Sequence, residues 1–308
     1  MKKKLLSMVL VVLLLLAAVM GCTKKETPSN GGNDALTKDR AGFEITVPKE
    51  INRIITMAPS ITLTLIDLGL GDKIVAMDTQ SAMILEPNPD MPTFDLMSPN
   101  VESLAELEPD IIIASTLTMM GDEANDPFAA LKALDICVAY IPSSNSIAEI
   151  KEDLRFTATV VGEKEKGEKM IADMEREIEE ILKLKPANAP EKKVYFEIGA
   201  APYMYSFGSG VYQNEMIEML GAVNIFSDDG WLPVEAESVV SANPDIIFTN
   251  VNYIENSVEE ILSRPGWEAM DAIKNKQVFY VENTNTSLPC HYIVYGLREI
   301  AEFLYGIN

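Results

Sequence analysis

A twelve-residue pattern occurs twice, and it constrains the fold more than any other feature of the chain. Residues 102–113 read Glu-Ser-Leu-Ala-Glu-Leu-Glu-Pro-Asp-Ile-Ile-Ile, and residues 237–248 read Glu-Ser-Val-Val-Ser-Ala-Asn-Pro-Asp-Ile-Ile-Phe. Six of the twelve positions are identical, and the copies stand 135 residues apart. Each copy is a short apolar helix opened by an acid, then Pro-Asp, then an unbroken apolar run. Proline ends the helix and aspartate begins the turn. The apolar run reads as a parallel strand buried on both faces. Two such units predict two lobes of one architecture. Open α/β sheets take ligands at the carboxyl ends of their strands, so a cleft between the lobes is expected.

The flanking sequence fits this frame. Strands are predicted at Arg53–Met57, Ile74–Met77, Ile111–Ala114 and Val138–Ile141, with a helix over Ile61–Leu68 stopped by Gly69. The second half repeats the scheme with strands at Val194–Ile198, Ile246–Phe248 and Val278–Val281, and a closing helix over Tyr292–Tyr305. Alternation of this kind implies doubly wound α/β lobes, over residues 43–145 and 186–308. Residues 146–185 between them hold no Pro and only two Gly. Their apolar positions (Ile147, Ile150, Leu154, Ala158, Val161, then Met170, Met174, Ile178, Ile181) recur in steps of three and four. Forty helical residues span about 60 Å, too long for a crossover inside one lobe. One rigid helix joining the lobes is therefore expected, with a break near Gly162 or Gly167 as the alternative.

The start of the chain has a different character. Lys2, Lys3 and Lys4 precede an apolar run from Leu5 to Met20 that only Ser7 interrupts. That is short for a membrane span and suits a signal-peptide core. Gly21-Cys22 closes the run as a bacterial lipobox does, which makes residues 1–21 a lipoprotein signal peptide and Cys22 the lipidated residue. Residues 22–42 read as a flexible tether. Removing residues 1–21 leaves 287 residues and takes three Lys, so the formal charge goes from −22 to −25. Such acidity argues against nucleic acid as a partner. Cys137 and Cys290 fall in different halves, so a disulfide between them is not expected.

With these elements in place the chain resembles the ABC-importer binding proteins for iron-siderophores, haem and cobalamin, over about residues 43–308. The likeness rests on Arg53-Ile54-Ile55 leading to Ala58-Pro59-Ser60, and on Leu68-Gly69-Leu70-Gly71-Asp72-Lys73-Ile74-Val75. It rests further on both Pro-Asp strands, and on Arg264-Pro265-Gly266-Trp267 followed by Ala272-Ile273-Lys274-Asn275. The resemblance implies two doubly wound α/β lobes joined by one long α-helix, with the ligand cleft between the lobes. It implies an extracytoplasmic, membrane-anchored, non-enzymatic protein with no intrinsic cofactor. Its partners are an ABC permease with its ATPase, and its ligand is an iron or cobalt chelate. In that family a Glu on each lobe pairs with Arg on the permease, and the repeat carries that role to Glu102 and Glu237. An acid in the first helical turn also suits the helix dipole, and the two readings are compatible.

Cleft candidates follow the strand ends. On the first lobe they are Ser60, Thr79, Gln80, Ser115, Thr116 and Met119. On the second they are Tyr203, Tyr205, Phe207, Trp231, Asn252, Tyr253 and Thr284. Tyr203, Tyr205, Phe207 and Trp231 form either a flat wall for a conjugated ligand or ordinary lobe core. Only six Arg occur (Arg40, Arg53, Arg155, Arg176, Arg264, Arg298), and none has a clear place in the cleft. An anionic triscatecholate wants several, so a hydroxamate-type chelate or a corrinoid is favoured. Haem stays open, with His291, Met119, Tyr203 and Tyr253 as axial ligands in kind. A receptor for free zinc or manganese would need several His, and the chain has one. An enzyme triad would have to use His291, without a Gly-x-Ser-x-Gly elbow. A binding protein that serves a sensor instead of a transporter is the remaining alternative.

Overall fold

The structure is a computed structural model that describes residues 36–85, 89–119 and 126–307. The first lobe is built on β1 (Ile54–Met57), β2 (Ile74–Asp78), β3 (Thr93–Phe94), β4 (Ile111–Ser115) and β5 (Cys137–Ile141). All pairings are parallel, in the order β3-β2-β1-β4-β5. The chain winds outward from β1 through β3, then crosses to β4 on the other side. Loops leaving β1 and β4 therefore diverge, and a crevice opens at this switch point. The second lobe comprises β6 (Lys193–Glu197), β7 (Tyr205–Phe207), β8 (Val223–Asn224), β9 (Trp231–Pro233), β10 (Ile246–Thr249) and β11 (Val278–Tyr280). Four of these make a parallel sheet in the order β11-β10-β6-β8, while β7 and β9 pair antiparallel.

Each strand feeds a core on both faces, as its unbroken apolar run demands. Ile54, Ile111 and Ile113 enter one cluster with Leu65 and Phe156. Ile55, Ile112 and Ala114 enter the opposite one with Phe128 and Tyr140. In the second lobe Val194, Phe196 and Phe248 face one side, Tyr195 and Ile247 the other.

The repeat has one structural meaning in both lobes. Its helices are α3 (Val101–Glu106) and α8 (Ala236–Ala242), each leading to the strand that pairs with the first strand of its lobe. Asp110 Oδ2 accepts from the backbone N–H of Asn52 and Arg53 at 2.7 and 2.9 Å, and Asp110 N–H donates to Arg53 O. Asp245 repeats this at Lys193, accepting at 2.7 Å and donating to its carbonyl. The Pro-Asp aspartate thus locks the start of the neighbouring strand in register. The remaining helices that position the cleft are α1 (Pro59–Asp67), α2 (Thr79–Leu85), α4 (Ala129–Lys132), α5 (Ile147–Val160), α6 (Lys164–Leu182), α7 (Tyr212–Met219), α9 (Ser257–Leu262), α10 (Asp271–Lys274), α11 (Asn283–Ser287) and α12 (Ile293–Tyr305).

Two expectations are corrected. Residues 146–185 are not one 60 Å rod but two antiparallel helices, α5 and α6, reversing at Gly162, whose φ is +81°. Gly supplies that left-handed turn without a steric cost. The antiparallel register is read from Arg155–Glu168 and Lys151–Glu175 ion pairs and from Gly167 lying against Ala158. Apolar periodicity continues across the turn because both helices bury a stripe, which is why it could not reveal the break. The bridging is retained in folded form: Met170 of α6 joins the first-lobe core, while Met174, Ile178 and Ile181 join the second-lobe core. The tether expected through residue 42 is also shorter. Asp39 Oδ2 accepts from Tyr140 N–H, Lys38 bridges to Glu44, and Arg40 Nε lies 2.6 Å from Asp153 Oδ1. The folded body therefore includes the segment from Leu36. Cys22 lies outside the described residues, among which no helix is long and apolar enough to cross a membrane.

Candidate ligand-binding cleft

A cavity of about 380 Å³ lies where the two lobes meet. The first lobe contributes the segments leaving its strands: Ala58–Ile61 after β1, Ser115 and Leu117 after β4, and Pro142–Asn145 after β5. One face of α5 forms the back, through Ile150, Asp153, Leu154 and Thr157. The second lobe supplies Tyr212 and Gln213 from the start of α7, Trp231 from β9, and Ser287–Cys290 after α11. The location is the one that the parallel sheets dictate.

The walls are mostly apolar by area, with hydroxyl and amide groups among them, and hold little charge. Asp153 is the single charged residue among the described lining, and it is neutralised in place. Arg40 and the Ser144 hydroxyl both bind its carboxylate. Burial pushes its carboxyl above the usual aspartate range despite those two contacts. No arginine lines the cavity among the described residues, and the five besides Arg40 are committed elsewhere. Arg53 donates to Leu107 O, Arg155 and Arg176 pair with acids on their own hairpin, and Arg298 meets Glu177. Arg264 grips the buried Glu197 through two bonds of 2.8 and 3.0 Å and sits 4.3 Å over the Trp267 ring. The Arg264–Trp267 motif is therefore an internal brace of the second lobe. Cys290 lines the cavity as a buried thiol pushed up to about 12 by burial, and Cys137 is a separate buried thiol.

Of the sequence candidates, Ser60, Ser115 and Trp231 line the cavity. Trp231 is half exposed there, and the fully buried Phe207 backs it with ring centroids 6.0 Å apart at 82°. Phe207 is thus a support in the core, which corrects its expected place on the wall. Met119 is corrected likewise, since it packs with Phe128 in the first-lobe interior. Thr116 begins a tight turn between Ser115 and Leu117, and those two reach the cavity instead. Thr79 and Gln80 are exposed in the first turn of α2, away from the lining. Thr284 sits in α11 one turn before Ser287, which takes the lining position. Tyr203, Tyr205 and Tyr253 are exposed and lie off the cavity; Tyr253 Oη accepts from Ala200 N–H at 2.7 Å. Asn252 lines a separate shallow hollow with Asn256 and Tyr280. His291 does not face the cavity lining. Its Nε2 lies 2.7 Å from Asp67 Oδ2 at the end of α1, a contact between the lobes.

Sequence reasoning missed Gln213, Ser287 and the Pro142–Asn145 segment. The last was accessible, because Pro-Ser-Ser-Asn directly follows an identified strand. Gln213 carried no such signal, since no strand ends beside it. Glu102 and Glu237 are exposed in the first turns of α3 and α8, and neither has an ion pair among the described residues.

Residues 54–284 match the sequence model of a family described as periplasmic binding protein. A Bacillus subtilis protein described as the uncharacterized ABC transporter substrate-binding lipoprotein YvrC is 28% identical over 270 residues, covering 87% of this chain and 84% of the relative. The vitamin B12-binding protein of Vibrio cholerae is 25% identical over 267 residues, covering 83% and 90%. Among solved structures, a possible iron-binding (periplasmic solute-binding) protein from Staphylococcus epidermidis superposes with a TM-score of 0.73 at 27% identity. That superposition covers 83% of this chain and all of the other.

Proposed function

Because the chain belongs to the periplasmic binding protein family, we propose that it is the extracytoplasmic receptor of an ABC importer and captures a metal chelate carrying little negative charge. A corrinoid or a hydroxamate siderophore ranks ahead of haem, and a triscatecholate ranks last. The observation that carries this reading is the uncharged cleft. No Lys, Arg or His lines it among the described residues, and its one acid is neutralised by Arg40. A polyanion entering such a site would lose its hydration without gaining preorganised donors. Cys22 anchors the protein by lipid to the outer face of the cell membrane, and Glu102 and Glu237 meet the permease.

The cavity sits at the low end of the roughly 300–1,000 Å³ typical of ligand pockets. A bulky chelate therefore reaches beyond it, past Leu117 on one lobe and Trp231 on the other, lining residues that are each about half exposed.

The test is titration of the unlipidated protein with cyanocobalamin, haem, a ferric trihydroxamate and a ferric triscatecholate, followed by tryptophan fluorescence. Trp231 stands in the cleft, whereas Trp267 is 1% exposed in the core, so Trp231→Phe should remove the response. Binding should depend weakly on salt, because exposed charge pairing contributes little to it. Tight and strongly salt-dependent binding of the triscatecholate alone would overturn the choice of ligand.

A further inference from the structure

The chain has one histidine, and the structure places it in a direct contact between the lobes. His291 Nε2 lies 2.7 Å from Asp67 Oδ2, and the two residues are 224 positions apart. A carboxylate only accepts, so Nε2 carries the proton and donates. The Tyr292 ring packs edge-on against the imidazole, with centroids 4.8 Å apart. Burial first, and then the Asp67 carboxylate that faces it, push the Tyr292 hydroxyl up to about 12. Two second-lobe side chains thus meet one first-lobe acid.

Asp67 does nothing for its own helix. It is the last residue of α1, where the negative end of the helix dipole disfavours a carboxylate, and the last turn holds no basic residue. The cross-lobe contact accounts for it. Both ends of that contact run straight into the cavity wall. The earlier turns of α1 line the cavity through Ser60, Ile61 and Thr64, and Cys290, the residue before His291, lines it from the second lobe.

The contact is also easily reversed. His291 Nδ1 is buried without a partner among the described residues. It is unsatisfied in either charge state, as a bare acceptor or as a bare donor. That loss is of the same order as the gain from one charge-assisted hydrogen bond, so the two nearly cancel. Parting the lobes returns water to Nδ1 and to an Asp67 side chain that is already 37% exposed.

We infer that Asp67 and His291 form a reversible latch between the lobes, which holds the α1 and Cys290 sides of the cavity together and releases them when a ligand enters or leaves. Its role in access rests on the reading of the cleft as the ligand site, whereas the latch itself can be tested with no ligand present.

Cys290 is the reporter. It is 2% exposed beside His291, so a maleimide reaches it when the cavity walls part. The test uses the unlipidated chain carrying Cys22→Ser, which leaves Cys137 and Cys290 as its two thiols. Asp67→Ala removes the acceptor on the opposite lobe. It should speed labelling of Cys290 by N-ethylmaleimide about 3- to 10-fold, the size of one hydrogen bond, while Cys137, buried in β5, keeps its rate. Losing the Asp67 charge also eases ionisation of the Cys290 thiol, because that carboxylate adds to burial in raising it. Asp67→Asn separates the two effects, since it loses the same charge and keeps an acceptor for Nε2–H. Its labelling rate should fall between those of the wild type and Asp67→Ala. An unchanged Cys290 rate in Asp67→Ala would overturn the latch. Equal rates in the two variants would overturn it as a charge effect alone, and a parallel rise at Cys137 would overturn it as unfolding of a lobe. The expected rates in a protein that binds neither cyanocobalamin nor a ferric trihydroxamate would support the latch and count against the proposed ligand.

Discussion

The helical hairpin between the lobes makes a quantitative prediction at Gly167. A Cβ built on Gly167 would lie 2.3 Å from the Ala158 Cβ on the facing helix. Apolar carbons rest about 3.5–4.0 Å apart, so α5 and α6 would have to separate by more than about 1 Å. A methyl attached directly to the backbone cannot rotate away. Overpacking of this kind costs about 1–3 kcal/mol. Exchanging Gly for Ala in a helix returns about 1 kcal/mol. Gly167→Ala should therefore cost the protein up to about 2 kcal/mol, although helix propensity alone predicts about 1 kcal/mol of stabilisation. Urea unfolding followed by circular dichroism measures it, as a lower midpoint at unchanged slope. Ala158→Gly in the same chain removes the facing methyl and should recover much of the loss, giving a favourable coupling between the two sites. A Gly167→Ala protein more stable than wild type by the full helix-propensity gain of about 1 kcal/mol would refute the close contact and with it the hairpin register.

Three further outcomes are expected. Cys22→Ser should abolish incorporation of labelled palmitate and release the protein from the membrane fraction; unchanged labelling would remove Cys22 as the anchor. Glu102→Ala with Glu237→Ala should leave ligand affinity within about 2-fold and lower transport in cells, because exposed charges act on docking; loss of affinity in a folded protein would move these residues into the cleft. Burial raises the carboxyl of Asp78 despite its bonds to Ser81. Its folded-state pKa then exceeds the unfolded value, so its contribution is full below the ordinary Asp range near pH 4 and is lost as pH rises through the folded pKa. Asp78→Asn should accordingly flatten the fall in unfolding free energy between pH 4 and 7, and an unchanged slope would count against it.

Much of the fold was legible because parallel strands buried on both faces leave no freedom of composition. Ile111–Ile113 and Ile246–Phe248 are apolar at every position, and the structure places consecutive residues in opposite cores. The repeat was legible for a firmer reason. Asp110 and Asp245 each close a two-way backbone contact at the start of a neighbouring strand, so the same residue is needed at the same place in both lobes. The hairpin was legible only as the alternative of a break near Gly162 or Gly167, because a reversal between two buried stripes preserves spacing. Gly162, in the left-handed region, was its one local mark.

The cleft divides along the same line. Positions fixed by the backbone were found: Ser60 follows β1, Ser115 ends β4, and Trp231 stands opposite Phe207 on the β7–β9 pair. Positions fixed by packing between distant segments were not. Gln213 owes its place to Thr286, 73 residues away, and the charge of Asp153 is compensated by Arg40, 113 residues away. The scarcity of arginine suggested a low-charge site from composition alone, yet that inference needed the six partners to become structural. Arg40 shows why: it stands behind the cavity, where it cancels the one acid on the wall instead of meeting a ligand. Removing it by Arg40→Met would leave Asp153 buried beside Ser144 alone, and so place an uncompensated acid in a site otherwise suited to neutral groups. The neutrality of the cleft is thus maintained from outside it, by the first segment of the folded body.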